Sequence, residues 1–233
     1  MSGGMENRPK LLPHGDRAVD IVFENRISPA INRRVIALDA AIRSGAPEGI
    51  INCIPAYRTL TVEYDPMRIT YGQVCLFLRG IAMTADLPQQ GRLLRIPVLY
   101  GGAYGPDLET VAAHAGLSVQ ETIQRHAEPE YHVYMIGFLP GFPYLGGLDP
   151  KLACPRKATP RLRVEGGSVG IAGLQTGIYP EASPGGWNLI GRTPIRLFDA
   201  DTLSLLSAGD RVKFVPIDAE TYRAICETGV WNA

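Results

Sequence analysis

Several residue types and patterns are scarce in this chain, and each scarcity excludes something. Cys53, Cys75, Cys154 and Cys226 stand far apart with no C-x-x-C pair, which excludes a zinc knuckle and a disulfide framework and leaves reduced, mostly buried thiols. His14, His114, His126 and His132 form neither H-x-x-x-H nor H-E-x-x-H, and no carboxylate cluster accompanies them, so no metal site is expected. Net charge is absent as well: 23 Lys+Arg balance 23 Asp+Glu, which gives no global pull toward nucleic acid or an anionic membrane. No uninterrupted apolar run approaches the ~18 residues of a membrane span, and the opening "MSGGMENRPK" lacks an apolar h-region. A cytoplasmic protein with no nucleic-acid or membrane partner is expected. Lysine is rare, with four against 19 Arg; codon bias is the larger cause and a preference for bidentate anion contacts the smaller. Walker A and a G-x-G-x-x-G after a strand are both missing, so no ordinary nucleotide pocket is visible, and any ATP would be used in an uncommon way or by a partner.

What remains is an ordinary globular composition, 45% hydrophobic and 20% charged over 233 residues, enough to bury one large core or two smaller ones. Residues 28–45, "SPAINRRVIALDAAIRSG", read as a helix with Ser28 as N-cap, Pro29 at N1, an Ile31/Val35/Leu38/Ile42 stripe and Gly45 as the stop. "RTLTVEYDP" alternates, with Leu60, Val62 and Tyr64 on one face and Thr59, Thr61 and Glu63 on the other, as in a half-buried strand. Helical spacing returns from Thr70 to Ile81 through Val74, Phe77, Leu78 and Ile81. A small α+β domain over 1–88 follows, with "TADLPQQG" as a linker.

The second domain, 89–233, opens with a strand in "RLLRIPVLYGG" and a helix running from Pro106 to its stop at Gly116. Ser118 to Glu121 matches the capping box S-x-x-E and starts another helix. The pair resembles a helix-turn-helix, but the second element is short and mixed in charge; it lacks the basic face of a recognition helix and reads as a strut. From Tyr131 onward short apolar pieces (VYMIGF, RVEGGSVGIAG, PIRLFD, RVKFVPI) alternate with Gly/Pro turns, the pattern of an all-β barrel or sandwich. "DAETYRAICETGV" reads as a terminal helix.

"GGSVG" at 166–170 satisfies G-x-S-x-G, which would make Ser168 a nucleophile, but that motif needs a strand-to-helix turn and a later histidine. Here turns and strands follow, and all four histidines precede Ser168. A His132/Asp149/Ser168 triad in another order is conceivable, since triads are defined by geometry; a hairpin turn is the plainer reading. More informative are "MIGFLPGFPYLGGLDPKLACPRKATPR", 135–161, and "SPGGW", 183–187. Glycines there let backbone N–H groups approach a ligand while prolines stiffen the flanks. Phe138, Phe142, Tyr144 and Trp187 can form walls, and Arg156 and Arg161, in PR-x₃-PR, supply forked donors for a carboxylate or phosphate. From Lys151 to Arg196 seven Lys/Arg face only Glu165 and Glu181, which suits a small anionic substrate.

Residues 131–199, from "YHVYMIGFLPGF" through "PRKATPRLRVEGGSVGIAG" to "SPGGWNLIGRTPIRLFD", resemble the signature of the carboxyltransferase C/D family. Its members are called the B subunit of 5-oxoprolinase, allophanate hydrolase subunit 1, or Kip-type inhibitor of a sporulation histidine kinase. The likeness extends through "YGPDLETVAAHAGLSVQETIQRH", "HGDRAVDIVFE" and "IPAYRTLTVEYDP"; "VEGGS" departs from the family's V-P-A-G-S but keeps the glycine and serine. The resemblance implies a small α+β N-terminal domain followed by a mainly β, cyclophilin-like barrel, and that barrel by itself assigns no activity. It further implies the B subunit of an ATP-dependent 5-oxoprolinase, working with the A and the carboxyltransferase-like C subunits of that enzyme and using ATP with Mg. Alternatives are a urea carboxylase or allophanate hydrolase subunit, for which any biotin must ride on another chain because no M-K-M occurs here, and an inhibitor of a sensor histidine kinase. The candidate substrate-binding set is Phe138, Pro140, Gly141, Phe142, Tyr144, Arg156, Arg161, Gly167, Ser168, Ser183, Gly185, Gly186 and Trp187, with an anion nest of N–H groups near Gly141, Gly167 and Gly185–Gly186. No catalytic base can be named.

Overall fold

The computed structural model describes residues 9–82 and 91–231, and the chain divides into two compact units, Met1–Gln90 and Gly91–Ala233. The stretch expected to be a linker lies outside the described residues except for Gly91. In the first unit, β1 (Lys10–Pro13), β2 (Ala18–Val22), β3 (Ile50–Pro55) and β4 (Thr59–Tyr64) form an antiparallel sheet in the order β1-β2-β4-β3. Two helices, α1 (Pro29–Gly45) and α2 (Tyr71–Ala82), accompany it. The alternation of β4 does what its pattern predicts: Leu60, Val62 and Tyr64 are buried while Thr59, Thr61 and Glu63 stay half-exposed. They pack with Val19 and Ile21 of β2 against the Ile31, Val35, Leu38 and Ile42 stripe of α1 and Val74 and Leu78 of α2. Ser28 has the extended N-cap backbone, but its side chain makes no capping bond; the first turn leans on Pro29, whose fixed φ suits it.

The second unit is built on a closed barrel. Its strands are β5 (Leu93–Tyr100), β6 (Glu130–Ile136), β7 (Pro143–Gly146), β9 (Ser168–Ala172), β10 (Gln175–Ile178), β12 (Asn188–Arg192) and β15 (Arg211–Pro216), in the order β10-β7-β6-β15-β5-β12-β9. Only β5 and β15 run parallel, in register from Leu93↔Arg211 to Val98↔Pro216; the rest are antiparallel, and closure removes free edges. Two ribbons lie outside the barrel ladder: β8 (Arg161–Val164) with β11 (Ser183–Gly185), and β13 (Phe198–Asp199) with β14 (Leu203–Ser204). The apolar piece PIRLFD is a strand only at its last two residues, because the chain bends at Pro194 and Ile195, where the Ile195 N–H turns back onto Thr193 Oγ1 at 3.2 Å. Val98, Tyr131, Val133, Leu145, Val169, Ile171, Ile190, Val212 and Phe214 are among the side chains that fill the interior.

Helix α3 (Leu108–Ala115) stops at Gly116, which is left-handed at φ 67°, and α4 (Val119–Ala127) begins with the expected capping box. Ser118 Oγ accepts the Glu121 amide at 3.2 Å, and Glu121 Oε2 accepts the Ser118 amide at 2.9 Å. The terminal helix α5 spans Ala219–Thr228. No helix among the described residues is long and apolar enough to cross a membrane.

Candidate functional site

Side chains of a strand alternate in direction. Val169 and Ile171 of β9 point into the barrel, whereas Ala172 joins a separate cluster with Phe142, Val164, Tyr179, Trp187 and Leu189. That cluster sits where the β8–β11 ribbon meets the barrel wall, and Phe142 is its hub. Its ring meets Trp187 at 5.4 Å, Tyr179 at 5.2 Å and Phe138 at 5.6 Å, each nearly perpendicular, the edge-to-face geometry that aromatic quadrupoles favour.

A cavity of about 240 Å³ opens on this cluster, lined by Phe138, Phe142, Tyr144, Arg156, Pro160, Tyr179, Pro184, Gly185, Gly186 and Trp187. Phe138 stands at its rim, 60% exposed and at φ 67°. A non-glycine residue holds that conformation only when its surroundings over-determine it. Here the turn does so, since Gly137 N–H donates to Phe142 O and Phe142 N–H to Leu139 O, each at 3.0 Å. Arg156 is exposed with its guanidinium carbon 6.0 Å from the Trp187 ring centroid, and it makes no ion pair or hydrogen bond to a described residue.

The loop carrying Arg156 is tied down on both sides. Lys157 N–H donates to Gly186 O at 2.8 Å, and the buried Asn188 amide donates to Pro155 O at 2.8 Å. Arg161 and Lys157 both reach Asp107, at 2.8 and 2.9 Å from Oδ1, while Oδ2 accepts the Leu189 amide at 2.7 Å. Asp107 precedes α3 but caps nothing, because its carboxylate is spent on this clamp.

The expected set is thus divided. Phe138, Phe142, Tyr144, Arg156, Gly185, Gly186 and Trp187 share the cleft. Arg161 lies beside it, one nitrogen on Asp107 and Nη1 buried without a partner. Pro140 is exposed at the tip of the 137–142 turn, and Gly141 faces away, since a Cβ there would lie 2.8 Å from Phe198 Cβ. Gly167 packs on Thr193 O, and its N–H is spent on Tyr179 O at 2.7 Å, which removes it from any anion nest. Ser168 is fully buried on β9 with an unpartnered Oγ, where a nucleophile would meet no substrate. Ser183 is buried and bonds Pro184 O at 3.2 Å. The cleft also takes in Tyr179, Pro160 and Pro184. Of these only Tyr179 brings a polar side-chain atom, and an aromatic directly after a strand carries no signal that separates wall from core.

Two larger grooves, of about 410 and 430 Å³, contain none of the candidate residues. In the second, Arg92 and Arg196 are already paired with Asp210 and Asp199. Among the described residues no group of three or more His, Cys, Asp or Glu is placed to hold a metal ion.

Comparison with known proteins bears on this geometry. Residues 9–206 match the family described as carboxyltransferase domain, subdomain C and D. The B subunit of 5-oxoprolinase from Bacillus subtilis (strain 168) is 45% identical over 229 residues, 91% of this chain and 95% of its own. The crystal structure of TTHA0988 superposes with a TM-score of 0.78 at 42% identity over 87% of this chain, which spans only 40% of that longer one. The Kluyveromyces lactis urea amidolyase gives a TM-score of 0.78 over 97% of this chain and 16% of its own, but at 19% identity, a likeness of fold alone.

Proposed function

This chain belongs to the family of carboxyltransferase domains, subdomain C and D, and we propose that it is the B subunit of an ATP-dependent 5-oxoprolinase, a complex that opens 5-oxoproline to L-glutamate. Support comes first from a relative named as that subunit, matched over nearly its full length. Such a component acts with partners, and we assign these as the A and the carboxyltransferase-like C subunits of the complex, assembled in the cytoplasm. The likeness to urea amidolyase, at 19% identity, gives no reason to prefer a urea or allophanate substrate, and no feature of the cleft favours a kinase-inhibitor role.

The observation that carries the proposal is the uncommitted Arg156 guanidinium at the mouth of an aromatic cleft. A 5-oxoproline molecule offers one carboxylate for such a forked donor and a flat ring for the walls of Phe138, Phe142 and Trp187. A lactam is a poor electrophile, so opening it requires donors positioned where its carbonyl oxygen gains charge and walls that keep bulk water from competing with them. The cleft fits the ring acid and not the nucleotide: at about 240 Å³ it is below the roughly 300 Å³ at which pockets for drug-sized ligands begin. On that ground we place ATP and its Mg on a partner chain.

The test is Arg156→Ala in the reconstituted complex. Ring opening, followed as glutamate release, should fall by at least about tenfold, with the loss weighted toward KM because a carboxylate anchor binds ground and transition states alike. Unchanged kinetics in a complex of normal composition would overturn the assignment of this cleft to substrate.

A further inference from the structure

The cleft holds a second donor, one whose proton has no acceptor within the protein. Tyr179 follows β10 and lines the cavity although only 1% of its surface is exposed. Among the described residues no acceptor takes the phenolic proton, and the Trp187 backbone N–H stands close enough to the phenolic oxygen to lower its pKa. The hydroxyl is not among the buried unpartnered atoms, so it opens onto the cavity it lines, and a donor that faces a ligand-sized cavity with no acceptor in the protein points to a group that arrives with the ligand. Space for that oxygen is provided at Gly185, on the ribbon: a Cβ there would lie 2.3 Å from the Tyr179 hydroxyl.

We propose that the Tyr179 hydroxyl donates a hydrogen bond to the ring carbonyl oxygen of the cyclic amide acid whose carboxylate is held by Arg156; this rests on the proposed oxoprolinase function. Two donors of different character then read two acceptors of different character, the cation taking the carboxylate and the neutral phenol taking the carbonyl. Burial raises the Tyr179 pKa, outweighing the Trp187 amide bond and the nearby Arg156 and Arg161 charges that lower it, so the group stays protonated and able to donate at neutral pH. As the ring opens, the carbonyl oxygen gains charge, and a donor already aimed at it strengthens without reorganising. Tyr179 also sets specificity, because a ring acid without the carbonyl leaves the phenol unpaired.

The experiment compares two ligands on the reconstituted complex: 5-oxoproline, and cyclopentanecarboxylate, which keeps the ring size and the carboxylate but has no lactam. Tyr179→Phe should weaken 5-oxoproline by at least about tenfold while leaving cyclopentanecarboxylate nearly unchanged; Arg156→Gln should weaken both alike. Replacing Tyr179 with 3-fluorotyrosine, which retains ring and hydroxyl but makes the phenol more acidic, should widen the preference for 5-oxoproline and serves if the phenylalanine variant folds poorly. Equal losses for both ligands in Tyr179→Phe, or no change in the preference with the fluorinated residue, would reduce Tyr179 to a packing role. If either result is found while the wild-type complex does release glutamate, the donor assignment falls and the oxoprolinase function stands. A wild-type complex that opens no ring removes both.

Discussion

The Arg161 guanidinium donates to Asp107 Oδ1 across 2.8 Å, and the Asp107 carboxylate is 5% exposed. With Lys157 on the same oxygen and the Leu189 amide on the other, one carboxylate joins the lead into α3, the loop before β8, β8 itself and β12. Arg161 therefore serves the frame that holds Arg156 in place, although both occur in one PR-x₃-PR repeat.

Burial raises the Asp107 carboxyl, but hydrogen bonds from Arg161, Lys157 and the Leu189 amide outweigh it, and its pKa lies below the ordinary carboxylate value. A pKa lowered on folding gives stability that is complete above the unfolded value of about 4 and is lost as pH falls through the folded one. Asp107→Asn should cost about 3 kcal/mol at pH 7, as when one partner of a buried pair is removed, and should flatten the acid side of the stability profile below about pH 4. Urea denaturation across pH measures both. A variant as stable as the parent at pH 7 would show that the clamp contributes nothing net.

Features that close within one helix or strand are legible from the chain alone. The Ile31–Val35–Leu38–Ile42 stripe and the Ser118/Glu121 box require no distant partner, and the aromatic cleft shows through the Gly/Pro crowding around Phe138, Phe142 and Trp187. The Asp107–Arg161 bond joins residues 54 apart, and the helical pattern that starts at Pro106 gives no sign of so distant a partner for Asp107. Tyr179 is hidden for a similar reason: its hydroxyl matters only once the β8–β11 ribbon has brought Trp187 and Gly185 against it. A G-G-S turn, in turn, has the same sequence whether it lines a pocket or packs against Thr193 O, as Gly167 does.

Gly185 and Gly186 are neighbours in SPGGW with opposite tolerances. A Cβ on Gly185 would lie 2.3 Å from the Tyr179 hydroxyl and 2.8 Å from its ring, whereas one on Gly186 would meet nothing nearer than Pro160 Cγ at 3.6 Å. Gly185→Ala must displace Tyr179 or the ribbon, and the complex should lose about tenfold or more in kcat/KM because a misplacement near 1 Å is enough. Gly186→Ala should stay within about twofold, since 3.4–4 Å is ordinary contact. Equal effects on kcat/KM at the two positions would mean that Tyr179 does not need its place.

His126 gives the chain an acid sensitivity that its four histidines do not advertise. The ring is fully buried and stacked on Phe214 at 4.7 Å, with Nδ1 2.8 Å from the Tyr100 hydroxyl and Nε2 2.9 Å from Thr176 Oγ1. Thr176 gives its own proton to Gly170 O at 3.0 Å, so its oxygen must accept from Nε2–H, and Tyr100 must donate to Nδ1. That is a neutral imidazole with both nitrogens satisfied, and burial lowers its pKa to about 3. The unfolded chain takes up this proton near pH 6.5 while the folded one refuses it down to about pH 3, so stability is complete above about 6.5 and falls by up to about 1.4 kcal/mol for each pH unit below. His126→Gln removes the titration, and should cost about 2 kcal/mol at pH 7.5 through lost stacking and hydrogen bonding. Because other ionising groups are common to both proteins, the difference between parent and variant isolates this residue, and it should narrow as pH drops from 7.5 to 5. A difference that holds constant across that range would mean that the imidazole in the folded protein accepts the proton as readily as it does in the unfolded chain.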